Sequence, residues 1–219
     1  GRSLMTQNRS LPASYRRIFC IGCNYAEHIR EMGNPPDEQC IIFMKSPECL
    51  VAPGVPLRLP RGLGAVHHEV ELVVQIGRAG RDIPENLALE HISGFTLGLD
   101  MTRRDLQSSL RKKGHPWELS KAFEQSAPLG EMIPFDPSRH DLSRVEMTCR
   151  VNAEPRQQGC SSDMLFSVTR LIAILSRTWT LLPGDLIFTG TPPGVGPVIP
   201  GDEISIESPA TGVFVWPCV

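Results

Sequence analysis

The sequence has no apolar run approaching the roughly 20 residues that a membrane-spanning helix requires, and no charged-then-apolar leader at its start. Those absences lead to the expectation of a cytoplasmic protein with no membrane partner. It also lacks an excess of either charge. Lys and Arg number 22 against 24 Asp and Glu, a formal net charge of -2, so no polyanion-binding surface is expected and nucleic acid is excluded as a partner. No internal repeat or low-complexity tract occurs. The seven cysteines, at 20, 23, 40, 49, 149, 160 and 218, lack the even count and dense spacing of a disulfide framework and read as reduced thiols. Cys20 and Cys23 form a lone C-x-x-C with no second pair to complete a tetrahedral zinc set. With Ile18, Phe19 and Ile21 around it, Cys20 reads as a small core hydrophobe.

What is present is an ordinary globular composition. The 219 residues are 41% hydrophobic and 21% charged, enough chain to bury a sizeable core. Glycine (19) and proline (20) are frequent but dispersed, so they punctuate many short elements. Residues 1–16 read as an N-terminal extension, with 1–4 preceding Met5 in the manner of an expression remnant, and residues 17–219 as one domain. The apolar patterning predicts strands over 17–22, 40–45, 67–74, 95–100, 144–151 and 186–189, and a closing hairpin from 203–207 and 213–216. Helices are predicted over 24–32, 102–113 and 165–176, the second with Thr102 as N-cap, Asp105 in the capping-box position and Gly114 as its stop. The 144–151 strand is followed by a polar segment with Gln157-Gln158-Gly159.

Chemistry concentrates in His67-His68-Glu69-Val70-Glu71-Leu72-Val73-Val74. A strand alternates its faces, so Glu69, Glu71 and Val73 share one side and Val70, Leu72 and Val74 the other. Two unpaired carboxylates roughly 7 Å apart on a half-buried strand would repel and lose solvation unless a cation lay between them. Either a metal sits there or the face is solvated. Asp100, ending the next strand, is a third ligand or a loop residue preparing the following helix. His28 and Glu31 lie three apart on the predicted 24–32 helix, placed either as a carboxylate-held base or as a surface pair. Lys121 is a cation in the apolar setting Leu119 to Phe123. The Gly-rich exit Thr189 to Gly196 lacks the lysine and the following helix of a phosphate-binding loop, so a nucleotide site is rejected.

Taken in order, these pieces resemble the fumarylacetoacetate hydrolase family, especially its small members acting on acylpyruvates or oxaloacetate. The matching stretches are Ile21 to His28 with Glu31, Phe43-Met44-Lys45, His67 to Leu72, and Leu99 to Thr102 with Arg104-Asp105. They continue through Lys121-Ala122-Phe123, Val151-Asn152 with Arg156 to Gly159, and Pro183-Gly184-Asp185 running into Thr189 to Pro192. The resemblance implies an α+β, strand-rich fold, a mixed β-sandwich or β-roll with a few flanking helices, and a homodimer. It implies Glu69, Glu71 and Asp100 as ligands to Mg2+ or Mn2+, hard cations suited to an all-oxygen set. It further implies His28 and Glu31 with Lys121 as the catalytic group, and Arg104, Gln107, Thr191 and Lys45 around a small 2-oxo acid substrate. Two positions depart from the pattern: Cys23, where some relatives carry Arg, bears on specificity, and Ser46, with Pro47 one position later, adjusts a turn.

The expected reaction is hydrolysis of the carbon–carbon bond of acylpyruvates, 2,4-dioxo acids such as acetylpyruvate or fumarylpyruvate, to pyruvate and a carboxylic acid. His28 would activate the water and Lys121 would stabilise the oxyanion. The alternative is oxaloacetate decarboxylation or keto–enol tautomerisation at the same site, which depends less on His28 because no water attacks. Two other classes remain open from the residues: an iron oxygenase using His67 or His68 with a carboxylate, and a non-catalytic metal-binding or assembly protein.

Overall fold

Alternation of apolar side chains runs through most of the chain, and the computed structural model, which describes residues 15–27 and 40–219, is accordingly built mainly of strands. In chain order these are β1 (Ile18–Gly22), β2 (Ile41–Lys45), β3 (Leu50–Val51), β4 (Val66–His68), β5 (Val70–Ile76), β6 (Ile92–Leu99), β7 (Thr102–Arg103) and β8 (Ala127–Pro128). They continue as β9 (Ile133–Pro134), β10 (Glu146–Val151), β11 (Glu154–Cys160), β12 (Leu186–Phe188), β13 (Gly196–Val198), β14 (Glu203–Ser208) and β15 (Gly212–Pro217). Helices span Arg104–Lys113, Glu118–Lys121 and Val168–Thr178. No helix among the described residues is long and apolar enough to cross a membrane.

Among the described residues the largest sheet has six strands in the order β2-β1-β12-β5-β6-β9. Its β1–β12 pair is parallel and its other pairs antiparallel, so the sheet is mixed. A second sheet, β11-β10-β14-β15, packs against it. Val70, Leu72 and Val74 of β5 and Phe95, Leu97 and Leu99 of β6 share a core with Met147 and Cys149 of β10, Ile206 of β14 and Trp216 of β15. The Val168–Thr178 helix, capped by the Ser167 hydroxyl, adds Leu171, Ile172 and Leu175 to that core. The reverse face of the large sheet carries Cys20, Val73 and Phe188 against Ala127 and Leu129. Glu71, two residues before Val73, lies on this second face. The strand-rich α+β architecture is the one the resemblance implies.

Four local expectations change. The strand predicted over 67–74 is two strands in two sheets, β4 paired with β13 and β7, and β5 paired with β12 and β6. Glu69 is the junction between them, a sheet change that alternation of apolar residues does not reveal. Thr102 is in β7 and caps nothing; the helix starts at Arg104, and the Thr102 hydroxyl donates to the Asp100 carbonyl at 3.0 Å. Gln157-Gln158-Gly159 belongs to β11, a strand polar in composition because most of its side chains are exposed or half-buried. Leu165 precedes the helix it was assigned to, which starts at Val168. The seven cysteines are free thiols, and Cys20 is buried as expected.

The loop leaving β12 is held in place by glycine. Gly194 has φ +99°, and a Cβ there would stand 2.1 Å from the Arg156 carbonyl oxygen on β11. Replacement by any L-residue meets both an unfavourable backbone conformation and a clash with main chain. Gly194→Ala is therefore expected to destabilise the protein by roughly 2–4 kcal/mol in chemical denaturation, whereas Gly201→Ala, with a similar φ of +96° and no atom within 4 Å of the added Cβ, costs markedly less.

Candidate active site

Antiparallel pairing of β5 with β6 assembles the carboxylates. Val70 stands opposite Leu99 and Glu71 opposite Gly98, and the Asp100 N–H donates to the Glu69 carbonyl at 2.9 Å. Residues far apart in sequence are thus adjacent at one end of the sheet. Each of Glu69, Glu71 and Asp100 offers an oxygen within 4.8 Å of the others, and all three are buried. Three buried carboxylates at this spacing demand positive charge.

The protein supplies three cations. Lys121 donates to Glu69 Oε2 at 3.1 Å, Asp100 Oδ2 at 2.8 Å and Thr102 Oγ1 at 2.7 Å, so its three N–H bonds are taken. Burial lowers its pKa, but the charges of Asp100 and Glu69 outweigh that and hold it above the usual lysine value. Lys121 is therefore an ammonium at neutral pH, a source of positive field and not a base. Lys45 lies 2.6 Å from Asp100 Oδ1 and donates to the carbonyls of Met101 (3.1 Å) and Ser126 (2.6 Å). Arg104 gives Nη2 to Glu69 Oε1 at 2.5 Å and Nη1 to Gln107 Oε1 at 2.6 Å.

Glu71 is as deeply buried as Asp100. Burial first, then the charges of Asp100 and Glu69, push its pKa well above the usual glutamate value, although the Gly190 N–H donates to its Oε2 at 2.9 Å. A buried glutamate that favours its proton among two other carboxylates is a position that would accommodate further positive charge. The donor set is all oxygen and all anionic, and its spacing is close to that needed around one hard divalent ion, whose opposite ligands stand about 4–5 Å apart. Among the described residues no other cluster of three such ligands occurs, and this one contains no histidine.

The loop after β12 closes the site with fixed polarity. Gln157 Oε1 accepts the Val70 N–H at 3.0 Å and faces His68 Nδ1 at 2.8 Å, while its Nε2 donates to Thr191 Oγ1 and to the Pro192 carbonyl, both at 2.8 Å. Thr191 in turn donates its own proton to the Val70 carbonyl at 2.8 Å. A hydroxyl that receives from Gln157 and gives to Val70 has only a lone pair left for a ligand. The same chain of bonds places the His68 proton on Nδ1. Burial lowers the pKa of His68, and burial followed by the Arg104 charge lowers that of His67 to about 4. Both imidazoles are neutral, and among the described residues neither joins a cluster of three ligand groups, so no histidine-containing triad of the oxygenase kind is formed.

A cleft opens over Glu69, Asp100, Lys121, Arg104, Gln107 and Thr191, with Cys23, Phe43, Arg111 and Trp117 on its walls. The structure therefore brings together all the predicted site residues that it describes; of these Glu71 and Lys45 belong to the ionic cluster but do not line the cleft. His28 and Glu31 lie outside the described residues. Sequence reasoning missed Gln157, Arg111 and Trp117. Gln157 carries no local signal, since its partners are 34 to 89 positions away. Arg111 was visible in principle, seven residues after Arg104 on the same helical face.

Comparison with known proteins identifies the family. The fumarylacetoacetate hydrolase C-terminal family profile matches residues 17–216. The chain is 42% identical over 190 residues to oxaloacetate tautomerase YcgM of Escherichia coli K12, covering 87% of each. It is 43% identical over 190 residues to the mitochondrial oxaloacetate decarboxylase of Dictyostelium discoideum, covering 86% of this chain and 87% of that protein. The crystal structure of fumarylpyruvate hydrolase from Pseudomonas aeruginosa in complex with Mn2+ and pyruvate superposes with a TM-score of 0.89 at 40% identity, covering 94% of this chain and 90% of that one. With the match spanning nearly the whole chain and the carboxylate cluster in place, the protein belongs to the fumarylacetoacetate hydrolase family.

Proposed function

We propose that this protein catalyses keto–enol tautomerisation of oxaloacetate at a divalent-cation site formed by Glu69, Glu71 and Asp100. The observation that carries the reading is the buried ionic cluster. Three carboxylates face Lys121, Lys45 and Arg104, so a divalent ion replacing the Glu71 proton leaves the cluster with two net positive charges, matched by the dianion of oxaloacetate. Tautomerisation needs stabilisation of the enolate and a proton carrier, and no attacking water. The 42% identity to a tautomerase across most of both chains supports the same choice.

When bound, the cation supplies a Lewis acid for the 2-oxo group. The side chains of the chain do the rest. Lys121, itself buried, projects positive charge into the cleft that it lines, where developing enolate charge is stabilised more than it would be in solvent. Thr191, having given its proton to Val70, accepts the enol O–H and so favours the enol at that position. Gln157 keeps it in that orientation. Arg104 holds Glu69, and Gln107, whose carbonyl is taken by Arg104, has its amide N–H as the group it can offer to a ligand in the cleft that it lines. His28, with Glu31, is the proposed carrier of the C3 proton.

Acylpyruvate hydrolysis, the reaction expected first from the sequence, is the second reading, favoured by the similarity to the Pseudomonas fumarylpyruvate hydrolase structure. There His28 would deprotonate the attacking water. A panel of enol-oxaloacetate, acetylpyruvate and fumarylpyruvate, each with Mg2+, Mn2+ and excess chelator, separates the two. Metal-dependent decay of the enol absorbance is expected to exceed turnover of either acylpyruvate; faster metal-dependent cleavage of an acylpyruvate would replace the tautomerase reading by the hydrolase one. Lys121→Met is expected to lower kcat by about 100-fold or more.

The raised pKa of Glu71 has a thermodynamic signature. A folded state that binds this proton more tightly than the unfolded one loses stability as pH rises above the ordinary glutamate value of 4.5, until the folded group also ionises. In chelator, the melting temperature should therefore fall between pH 5 and pH 8 by more in the wild type than in Glu71→Gln, which carries no ionisable group there. Adding Mn2+ should restore the wild type and leave Glu71→Gln unchanged. Equal pH slopes in the two proteins would remove the account of Glu71.

A further inference from the structure

Lys121 is the cation assigned to the developing enolate charge, yet the helix that carries it, Glu118–Lys121, is a single turn. So short a helix does not hold its own geometry, and the position of Lys121 must come from tertiary contacts. Its backbone hangs from one residue. The Trp117 carbonyl accepts the N–H groups of Ser120 at 2.8 Å and Lys121 at 3.1 Å, and the Ser120 hydroxyl at 2.7 Å. The turn therefore sits wherever Trp117 is held.

Trp117 is held through its ring. It packs against Phe43 with ring centroids 5.6 Å apart and planes tilted by 54°, and the Arg111 guanidinium carbon lies 5.9 Å from its centroid. Gly22 of β1 lets the indole come close: an added Cβ there would stand 3.5 Å from Trp117 Cζ3 and 3.3 Å from Ile41 Cγ2. Phe43 is fixed in turn by the large sheet, on β2 opposite Cys20 of β1, and packs with the apolar cluster on the reverse face.

Phe43 also meets the other end of Lys121. Its ring centroid lies 5.1 Å from the Lys121 ammonium nitrogen. The N–H groups of that ammonium are taken by Glu69, Asp100 and Thr102, so a ring face with negative potential can cover the rest of its surface without leaving a donor unpaired. One aromatic pair thus touches the lysine at both ends, the Trp117 carbonyl at its backbone and the Phe43 ring at its charge.

We infer that Phe43 and Trp117 are positioning residues for Lys121, Phe43 by covering the ammonium through a cation–π contact and Trp117 by fixing the turn that carries it, an inference that rests on the role given to Lys121 above. The ring keeps water off the ammonium and confines it beside Glu69 and Asp100, where its field passes through a medium of low polarity. The pair therefore acts on kcat more than on the binding of substrate.

The test reads the lysine itself as well as turnover. The Mg2+-loaded full chain is treated briefly with acetic anhydride, and acetylation of each lysine is followed by peptide mass spectrometry. Lys121 and Lys45 are both buried and both bonded to Asp100, so Lys45 reports any general loosening of the site. Phe43→Leu and Trp117→Leu should each speed acetylation of Lys121 at least fivefold and leave Lys45 within twofold. In both variants kcat for oxaloacetate should fall about 10-fold, with KM within twofold. Replacing Phe43 by 3,4,5-trifluorophenylalanine, which keeps the ring but removes most of the negative potential of its face, should lower kcat several-fold with an unchanged melting temperature. This variant carries the test if the leucine variants do not fold. Unchanged acetylation of Lys121, an equal rise at Lys45, or a trifluorinated protein with wild-type kcat would overturn the assignment. If the wild type shows no oxaloacetate tautomerisation while acetylation of Lys121 follows Phe43 and Trp117, the proposed function fails and the positioning inference stands. If tautomerisation occurs and Lys121 is acetylated no faster in the leucine variants, the inference alone fails.

Discussion

The structure depends on the meeting of three buried carboxylates with three buried cations at the end of β5 and β6. Neither set would be stable alone. Glu69, Glu71 and Asp100 within 4.8 Å of one another repel in a low-dielectric setting, and Lys121, Lys45 and Arg104 would each be costly to bury without an anion. Salt bridges of this kind contribute little net stability compared with apolar packing, so their presence in the interior marks a function. One carboxylate, Glu71, remains imperfectly compensated. That residual frustration is what a divalent ion would relieve.

The rest of the fold keeps this arrangement in register. One face of the large sheet is packed against the second sheet and the Val168–Thr178 helix, so β5 and β6 cannot slide without exposing Leu72, Val74, Phe95 and Leu97. On the other face the same strands place Glu71 toward the cluster. The loop after β12 is then fixed by two hydrogen-bonded side chains. Asn24 donates to the carbonyls of Phe166 and Thr189 and accepts the Phe166 N–H, while Gln157 ties Thr191 and Pro192 to β11. Packing thereby determines which protons Thr191 can offer, and through that the form of substrate it accepts.

The carboxylates were legible in the sequence because two glutamates two positions apart in an apolar run are a local signal, and both reach one cluster even though Glu69 sits at the junction of β4 and β5. Asp100 was legible as the end of the neighbouring strand, and the family resemblance joined it to the pair. What could not be read locally was the sheet change at Glu69, the placement of Thr102 in a strand, and the role of Gln157, all decided by partners distant in sequence. Thr102 met every local rule for a helix cap, yet its hydroxyl is held by Asp100 and Lys121, a case of tertiary bonding overriding a local preference. Lys45 shows the converse. Its proximity to the site was expected, but the direction of its ammonium, onto Asp100 from behind, depends on the packing of β2.

The central claim is that the carboxylate cluster is a site for one hard divalent ion. Titration with Mn2+ monitored by electron paramagnetic resonance tests it most directly, because free and bound Mn2+ are counted without reference to turnover. The account predicts one bound Mn2+ per chain in the wild type, displaced by excess Mg2+ and lost in Asp100→Asn. Binding that persists unchanged in Asp100→Asn, or no binding in the wild type, would contradict it.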